Sequence, residues 1–154
     1  MRLIPILLLS LLLAACYTPV SVTQMLQDTE SYQLPHLIKA DQGMVYVVRP
    51  NSLYTIFKYN VFLDGKEANS QVGYNRGNQY IYFHVEPGEH TVASKAENWG
   101  EVSFTIKAGE TIYIIQDASF GFLFGRNSVY KINPVEAKYY IKHSELGTLN
   151  RTVE

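Results

Sequence analysis

Short apolar runs broken by turn-forming dipeptides are the feature that most limits how this chain can fold. Residues 80–85 and 102–106 alternate apolar and polar side chains, as strands with one buried face do. Asp64-Gly65, Pro87-Gly88 and Ala108-Gly109 favour tight turns between such runs. About seven short strands with regular turn signals are typical of a sandwich. The pattern therefore predicts an all-β, mainly antiparallel β-sandwich.

The strand assignments follow the same alternation. The Pro87-Gly88 turn predicts a hairpin that pairs Val85 with His90 and Phe83 with Val92. Ile81, Phe83, Val85 and Val92 would then share one core face. Residues 70–78 are rich in Gly, Asn and Ser, which indicates a loop or a poorly ordered edge. The predicted strand regions are 45–48, 54–63, 80–85, 90–94, 102–106, 111–115 and 127–132.

One short C-terminal helix follows the last predicted strand. Asn133 is suited to the N-cap and Pro134 to the first helical position, with Glu136 in the first turn. We expect the helix over residues 137–145, with Gly147 ending it.

The first sixteen residues read as an export signal rather than as part of a fold. Arg2 precedes an apolar run that continues to Ala15, shorter than the roughly twenty residues of a spanning helix. The run ends in Leu13-Ala14-Ala15-Cys16, which resembles the lipobox of bacterial lipoproteins. That resemblance implies a signal peptide over 1–15, cleavage before Cys16, and acyl chains such as palmitate on this cysteine.

Cys16 is the only cysteine, so no disulfide can form within the chain. Two or more acyl chains hold a protein stably in a membrane. Tyr17 stands where an Asp favours retention in the inner membrane of Gram-negative bacteria, so we expect a lipid anchor in the outer membrane, facing the periplasm.

Four regions are expected after this division: the signal peptide, a lipidated cysteine with a tether over 16–42, a β-sandwich over 43–147, and a tail over 148–154. The tether is polar and weakly patterned, with a helical turn near 23–27. Its 26 residues after Cys16 would span roughly 28 Å as a flexible coil. The alternative is that part of it packs on the domain as an extra strand.

The ordered motifs of the domain are similar to a family of bacterial lipoproteins, the domain-of-unknown-function family 2846. The resemblance runs from Met44 to Leu146 and is carried by residues 45–50, 61–66, 83–92 and 108–113. It implies a small β-sandwich of the cell envelope, and it supplies no catalytic residue.

No constellation in the sequence predicts catalysis, a cofactor or a metal. His84 and His90 would face opposite sides of the predicted hairpin, and no acid stands at ligand spacing. No Gly-x-Ser-x-Gly motif occurs, and the only cysteine is assigned to lipid. Thirteen basic and 14 acidic residues give no positive surplus for nucleic acid. We therefore expect a non-enzymatic binding or structural module with an envelope protein as its partner.

Residues 119–126 are the candidate contact site, because three phenylalanines lie between glycines where a loop is expected. Either Phe120, Phe122 and Phe124 close the open end of the sandwich, or they and Arg126 contact a partner, a glycan, a lipid or the bilayer. Burial in the sandwich is the simpler expectation. Trp99, in a hairpin connection, is a second candidate. The alternative function is a small envelope hydrolase, or a binder of glycan or lipid fragments, with a pocket near 120–126 or Trp99.

Overall fold

The computed structural model describes residues 19–50 and 54–150. The predicted signal peptide, Cys16 and residues 151–154 of the predicted tail lie outside these ranges. Within the described residues, no helix is both long and apolar enough to cross a membrane.

Two helices, ten strands and one short 3₁₀ turn make up the described part of the chain. The helices are α1 (Val22–Thr29) and α2 (Pro134–Lys142), and the 3₁₀ turn is Ala68–Ser70. The strands are β1 (Gly43–Arg49), β2 (Tyr59–Leu63), β3 (Gln71–Asn75), β4 (Gln79–Val85), β5 (Gly88–Lys95), β6 (Trp99–Ile106), β7 (Thr111–Ser119), β8 (Arg126–Lys131), β9 (Glu145–Leu146) and β10 (Thr148–Leu149).

The strands form two five-stranded sheets. One has the order β8-β7-β1-β4-β9 and the other the order β10-β3-β2-β5-β6. Most neighbours are antiparallel, but β1 is parallel to β7, and β4 is parallel to β9. The prediction of an all-β, mainly antiparallel sandwich with a short C-terminal helix is confirmed.

Strand β1 is buried on both faces, which explains its uninterrupted apolar sequence. Val45 and Val47 face the core between the sheets, with Ile81 and Ile114 beside them. Met44, Tyr46 and Val48 face the other way and pack under α2. The inter-sheet core is built from Val45, Val47, Val61, Val72, Ile81, Phe83, Val85, Val92, Phe104, Ile106, Ile114 and Val129.

The predicted hairpin across Pro87-Gly88 is wrong. Strand β4 pairs with β1 and β9, whereas β5 pairs with β2 and β6 in the other sheet. The backbone at Glu86-Pro87 therefore carries the chain from one sheet to the other. Ile81, Phe83, Val85 and Val92 still meet in one core, as expected, because the two sheets face each other there.

The second predicted turn, Asp64-Gly65, does not close a two-residue hairpin either. The connection from β2 to β3 covers residues 64–70 and contains the 3₁₀ turn. Residues 71–75, predicted as a loop or an edge, form β3 beside the short edge strand β10. The predicted strand over 54–63 begins only at Tyr59, because residues 54–57 form a turn.

Helix α2 begins as expected and ends earlier. The Asn133 side chain accepts the backbone N–H groups of Val135 and Glu136, each at 3.0 Å, and Pro134 is the first helical residue. The helix ends at Lys142, and Gly147 instead separates β9 from β10, where the side chain of Asn75 leaves no room for a Cβ.

The segment expected to be a tether packs on the domain over much of its length, through a helix rather than an extra strand. Ser21 and Gln24 form a capping box at the start of α1. Asp28 accepts hydrogen bonds from Lys142, the last residue of α2, and from His143, which follows it, at 2.9 and 2.7 Å. Further along, His36 stacks on Tyr82 with 3.4 Å between ring centres. Residues 22–29 of the predicted tether are therefore in contact with the domain expected over 43–147. Thr148 and Leu149, which were expected to belong to the tail, form β10 beside β3.

Candidate functional site: an aromatic loop on the sandwich

The connection between β7 and β8, residues 120–125, is here named the aromatic loop. Phe120 is 82% exposed and Phe122 is 90% exposed, and Leu123 is exposed beside them. Phe124 is 50% exposed and packs nearly perpendicular to the ring of Phe57, with 5.2 Å between ring centres. The expectation that these rings fill the open end of the sandwich is therefore wrong for Phe120 and Phe122.

The backbone of the aromatic loop is fixed by the side chain of Glu97. The carboxylate accepts the N–H of Phe122 at 2.8 Å, that of Phe124 at 2.6 Å and that of Leu123. The backbone N–H of Glu97 donates in turn to the carbonyl of Gly125 at 3.1 Å. The N–H groups of Leu123 and Phe122 hold the pKa of the Glu97 carboxyl below its ordinary value. The ionised carboxylate thus provides acceptors for the backbone N–H groups of the turn, while the apolar side chains of the loop face solvent.

Two tyrosines support the loop from the side of the sandwich. Tyr59 donates its hydroxyl to the carbonyl of Phe124 at 3.0 Å, and the hydroxyl of Tyr54 accepts the N–H of Gly121 at 3.4 Å. Gly125 has a φ of 80°, and a Cβ there would lie 2.5 Å from the ring of Tyr54 and from the hydroxyl of Tyr59. Glycine is required at this position by both conformation and space.

The tyrosines are themselves held by a buried arginine. Arg49 is fully buried, and its guanidinium lies 3.7 Å from the centre of the Tyr59 ring. It donates to the carbonyls of Phe57 and Tyr54 at 2.8 and 3.0 Å. The turn that carries Phe57 is therefore fixed to the core, and Phe57 in turn packs against Phe124.

The remaining predicted contact residues, Arg126 and Trp99, lie in strands outside the aromatic loop. Arg126 is exposed at the start of β8. Trp99 is half-buried, with its ring 5.1 Å from that of Phe62. The ammonium groups of Lys95 and Lys66 lie 5.1 and 5.2 Å from the Trp99 ring. Trp99 therefore packs on its own sheet and covers Phe62.

The two histidines that the sequence places close together do not share a site. The ring of His84 lies 3.3 Å from the carbonyl of Leu37, whereas Nδ1 of His90 lies 2.6 Å from Asp64. The other nitrogen of His90, Nε2, lies 2.8 Å from the carbonyl of Glu86. Both acceptors take an N–H, so this arrangement favours the doubly protonated ring, in which neither nitrogen has a free lone pair.

The pKa of His90 follows from this pairing. Burial of the ring opposes the charge, but the hydrogen bonds to Asp64 and to the Glu86 carbonyl raise the pKa above its ordinary value of 6.5. The pair ties the start of β5 to the end of β2. In the part of the chain that the structure describes, no three His, Cys, Asp or Glu side chains are grouped to hold a metal ion.

Sequence reasoning missed Glu97 as a functional residue. Nothing near it in the sequence marks it, because the amides it accepts are 25–27 residues later. The sequence pattern predicts a strand over 54–63 that includes Tyr54 and Phe57, so it gives no sign of their contacts with the aromatic loop.

The fold and the site together define a small two-sheet β module that presents a fixed, exposed aromatic loop. The chain belongs to the family described as "Protein of unknown function (DUF2846)", whose profile matches residues 39–130, more than half of the chain. A search of curated proteins finds no significant sequence match.

Proposed function

We propose that the mature chain is a lipoprotein anchored through Cys16, and that its β module is a non-enzymatic binding or structural element of the cell envelope. The lipobox-like sequence that ends at Cys16 supports the anchor. The exposed aromatic loop supports the binding role, because soluble proteins rarely leave several large apolar side chains together in water without a contact for them.

The observation that carries the proposal is the attachment of the aromatic loop to Glu97. An apolar loop that is exposed only because it is flexible would not need hydrogen bonds that fix its backbone to the domain. Here a carboxylate takes three consecutive amides while Phe120 and Phe122 stay in solvent. A contact surface fixed in this way loses little conformational entropy on binding.

The hydrogen bonding of His90, which pairs with Asp64, favours a non-enzymatic role. A general base needs a free ring nitrogen, and Nε2 of His90 is engaged by the Glu86 carbonyl. The packing of Trp99 against Phe62 gives no support to a glycan-binding pocket there.

The location is proposed to be the outer membrane, with the domain in the periplasm. The test is expression of Cys16→Ser beside the unchanged chain in a Gram-negative host. The unchanged chain should incorporate labelled palmitate and sediment with outer membranes, and Cys16→Ser should do neither. Tyr17→Asp is the matched control, since it should keep the label and move to the inner membrane. Unchanged membrane fractionation of Cys16→Ser would refute the anchor.

A partner in the envelope is tested separately, by crosslinking in intact cells and mass spectrometry. A protein crosslinked in the unchanged chain, and lost when Phe120 and Phe122 are both changed to Ser, would support partner binding through the aromatic loop. A crosslinked protein that persists in this variant would place the contact elsewhere.

A further inference from the structure

The aromatic loop lies at a defined end of the sandwich. Strands β1 and β7 are parallel neighbours, with Val48 opposite Ile115, so both run toward the same end. Strand β7 continues four residues past that pair to Ser119, a length of about 13 Å. This end, where β1 stops at Arg49 and β7 stops at Ser119, is named the loop end. The opposite end, at Gly43 and Thr111, is the far end.

The N-terminal side of the described chain reaches the domain at the loop end too. Pro19 and Val20 line one cleft with Pro50, which follows β1, and with Asn78, which precedes β4. Cys16 is three residues before Pro19, and three residues span at most about 11 Å. A lipid on Cys16 would therefore hold the loop end, and not the far end, next to the bilayer.

The difference in charge between the two ends also favours the loop end as the one that faces the bilayer. The connections between strands β1 to β8 hold two basic residues at each end, but one acidic residue at the loop end and four at the far end. Bacterial phospholipids include anionic species, which attract the less acidic end and repel the other. The acid at the loop end is Glu97, and those at the far end are Asp64, Glu67, Glu86 and Glu110.

We infer that the aromatic loop enters the surface of the bilayer that holds the anchor, with Phe120, Phe122 and Leu123 at the boundary between headgroups and acyl chains. Exposed aromatic and aliphatic side chains favour that boundary. The cationic side chains at this end, among them Lys58, Arg76 and Arg126, are placed to meet the phosphates. Lipid and loop would then fix the orientation of the domain at two points. This inference rests on the proposed anchor at Cys16.

The test measures the depth of a single tryptophan. Trp99 is the only tryptophan, so Trp99→Phe gives a background to which Phe122→Trp is added. The matched control is Leu37→Trp in the same background, because Leu37 is 89% exposed and lies at the far end, beside Met44 and Thr111. The mature lipidated proteins are reconstituted in phosphatidylethanolamine–phosphatidylglycerol vesicles, with and without bromine on the acyl chains.

We expect Phe122→Trp to emit at shorter wavelength on vesicles and to be quenched several-fold more strongly by brominated lipid than Leu37→Trp. Equal quenching of the two positions, or an unquenched Phe122→Trp, would overturn the inference. A blue shift that follows protein concentration without lipid quenching would also overturn it, since the loop would then bind a second copy.

A second arm separates this inference from the anchor. The mature chain with Cys16→Ser is attached to the same vesicles by an N-terminal histidine tag and a nickel-chelating lipid. Quenching at position 122 in this arm would support the orientation even if mass spectrometry found no acyl chain on Cys16. Acylated Cys16 with no quenching at position 122 in either arm would retain the anchor and reject membrane entry of the loop.

Discussion

Oε2 of Glu97 lies 2.8 Å from the backbone nitrogen of Phe122, the most exposed aromatic residue in the described chain. The acid belongs to the turn between β5 and β6, and the phenylalanine to the connection between β7 and β8 in the other sheet. Asn98, next to Glu97, makes a parallel link, because its amide donates to the carbonyl of Asn127 at 2.8 Å. The sheets are joined at the point where the loop leaves the sandwich.

Replacement of Glu97 by Gln should loosen the aromatic loop without unfolding the domain. Gln offers one acceptor oxygen and no charge, so the three amides cannot all keep their partner. We expect faster hydrogen exchange at residues 122–124, with the exchange of β1 amides unchanged. Glu89→Gln, at an exposed position on β5, is the control and should change neither.

The contact between Glu97 and the loop amides predicts that the aromatic loop becomes less stable as pH falls. The amides of Leu123 and Phe122 lower the pKa of Glu97 in the folded state. Its stabilising contribution is therefore complete above the ordinary pKa of 4.5 and is lost as pH falls through the lowered folded value. Protection of the loop amides that was unaffected by acid in the unchanged chain would contradict this account of Glu97.

Gly125→Ala should be more destabilising than Gly109→Ala, although both glycines have positive φ. At Gly109 a Cβ meets nothing within 4 Å, so the cost is the left-handed backbone alone, about 1–2 kcal/mol. At Gly125 the Cβ also collides with Tyr54 and Tyr59, which adds about 1–3 kcal/mol. Free energies of unfolding from urea titration measure the difference. Equal values for the two variants would mean that the tyrosines do not confine the loop.

The His90–Asp64 pair should stabilise the fold more at acidic than at basic pH. The folded pKa of His90 is raised, so its contribution is complete below 6.5 and is lost as pH rises through the folded value. Urea titrations from pH 5 to pH 9, a range of roughly four units that spans the ordinary His pKa, measure this slope. Asp64→Asn should flatten it, whereas Asp41→Asn, which removes an exposed acid from the same end, should leave it unchanged.

Local signals in the sequence predicted the elements better than their partners. The alternation of 80–85 and the Asn133-Pro134 start of α2 are readable because each depends on neighbours within a few residues. The sequence does not determine the pairing of β4, because Pro87-Gly88 is equally compatible with a hairpin and with a passage between sheets. The hairpin is excluded because β1 and β9 pair with β4 on its two sides, which leaves no edge of β4 for β5.

The site was harder to predict than the fold. The sequence around Phe120 and Phe122 is equally compatible with burial in a core and with exposure to solvent. Their exposure follows from the contacts of the loop backbone with Glu97, Tyr54 and Tyr59. At the N-terminal side the sequence does carry a signal, because Ser21 and Gln24 have the spacing of a capping box. The weak pattern of the surrounding residues nevertheless predicts a tether with one helical turn.

The most direct test of the central claim is a photoreactive diazirine amino acid at position 122 of the full chain in living cells, with Leu37 substituted in parallel. Illumination followed by mass spectrometry of the purified protein should find phospholipid attached at position 122 and none at position 37. Attachment of position 122 to another protein, or equal labelling by lipid at both positions, would contradict a loop end held against the bilayer.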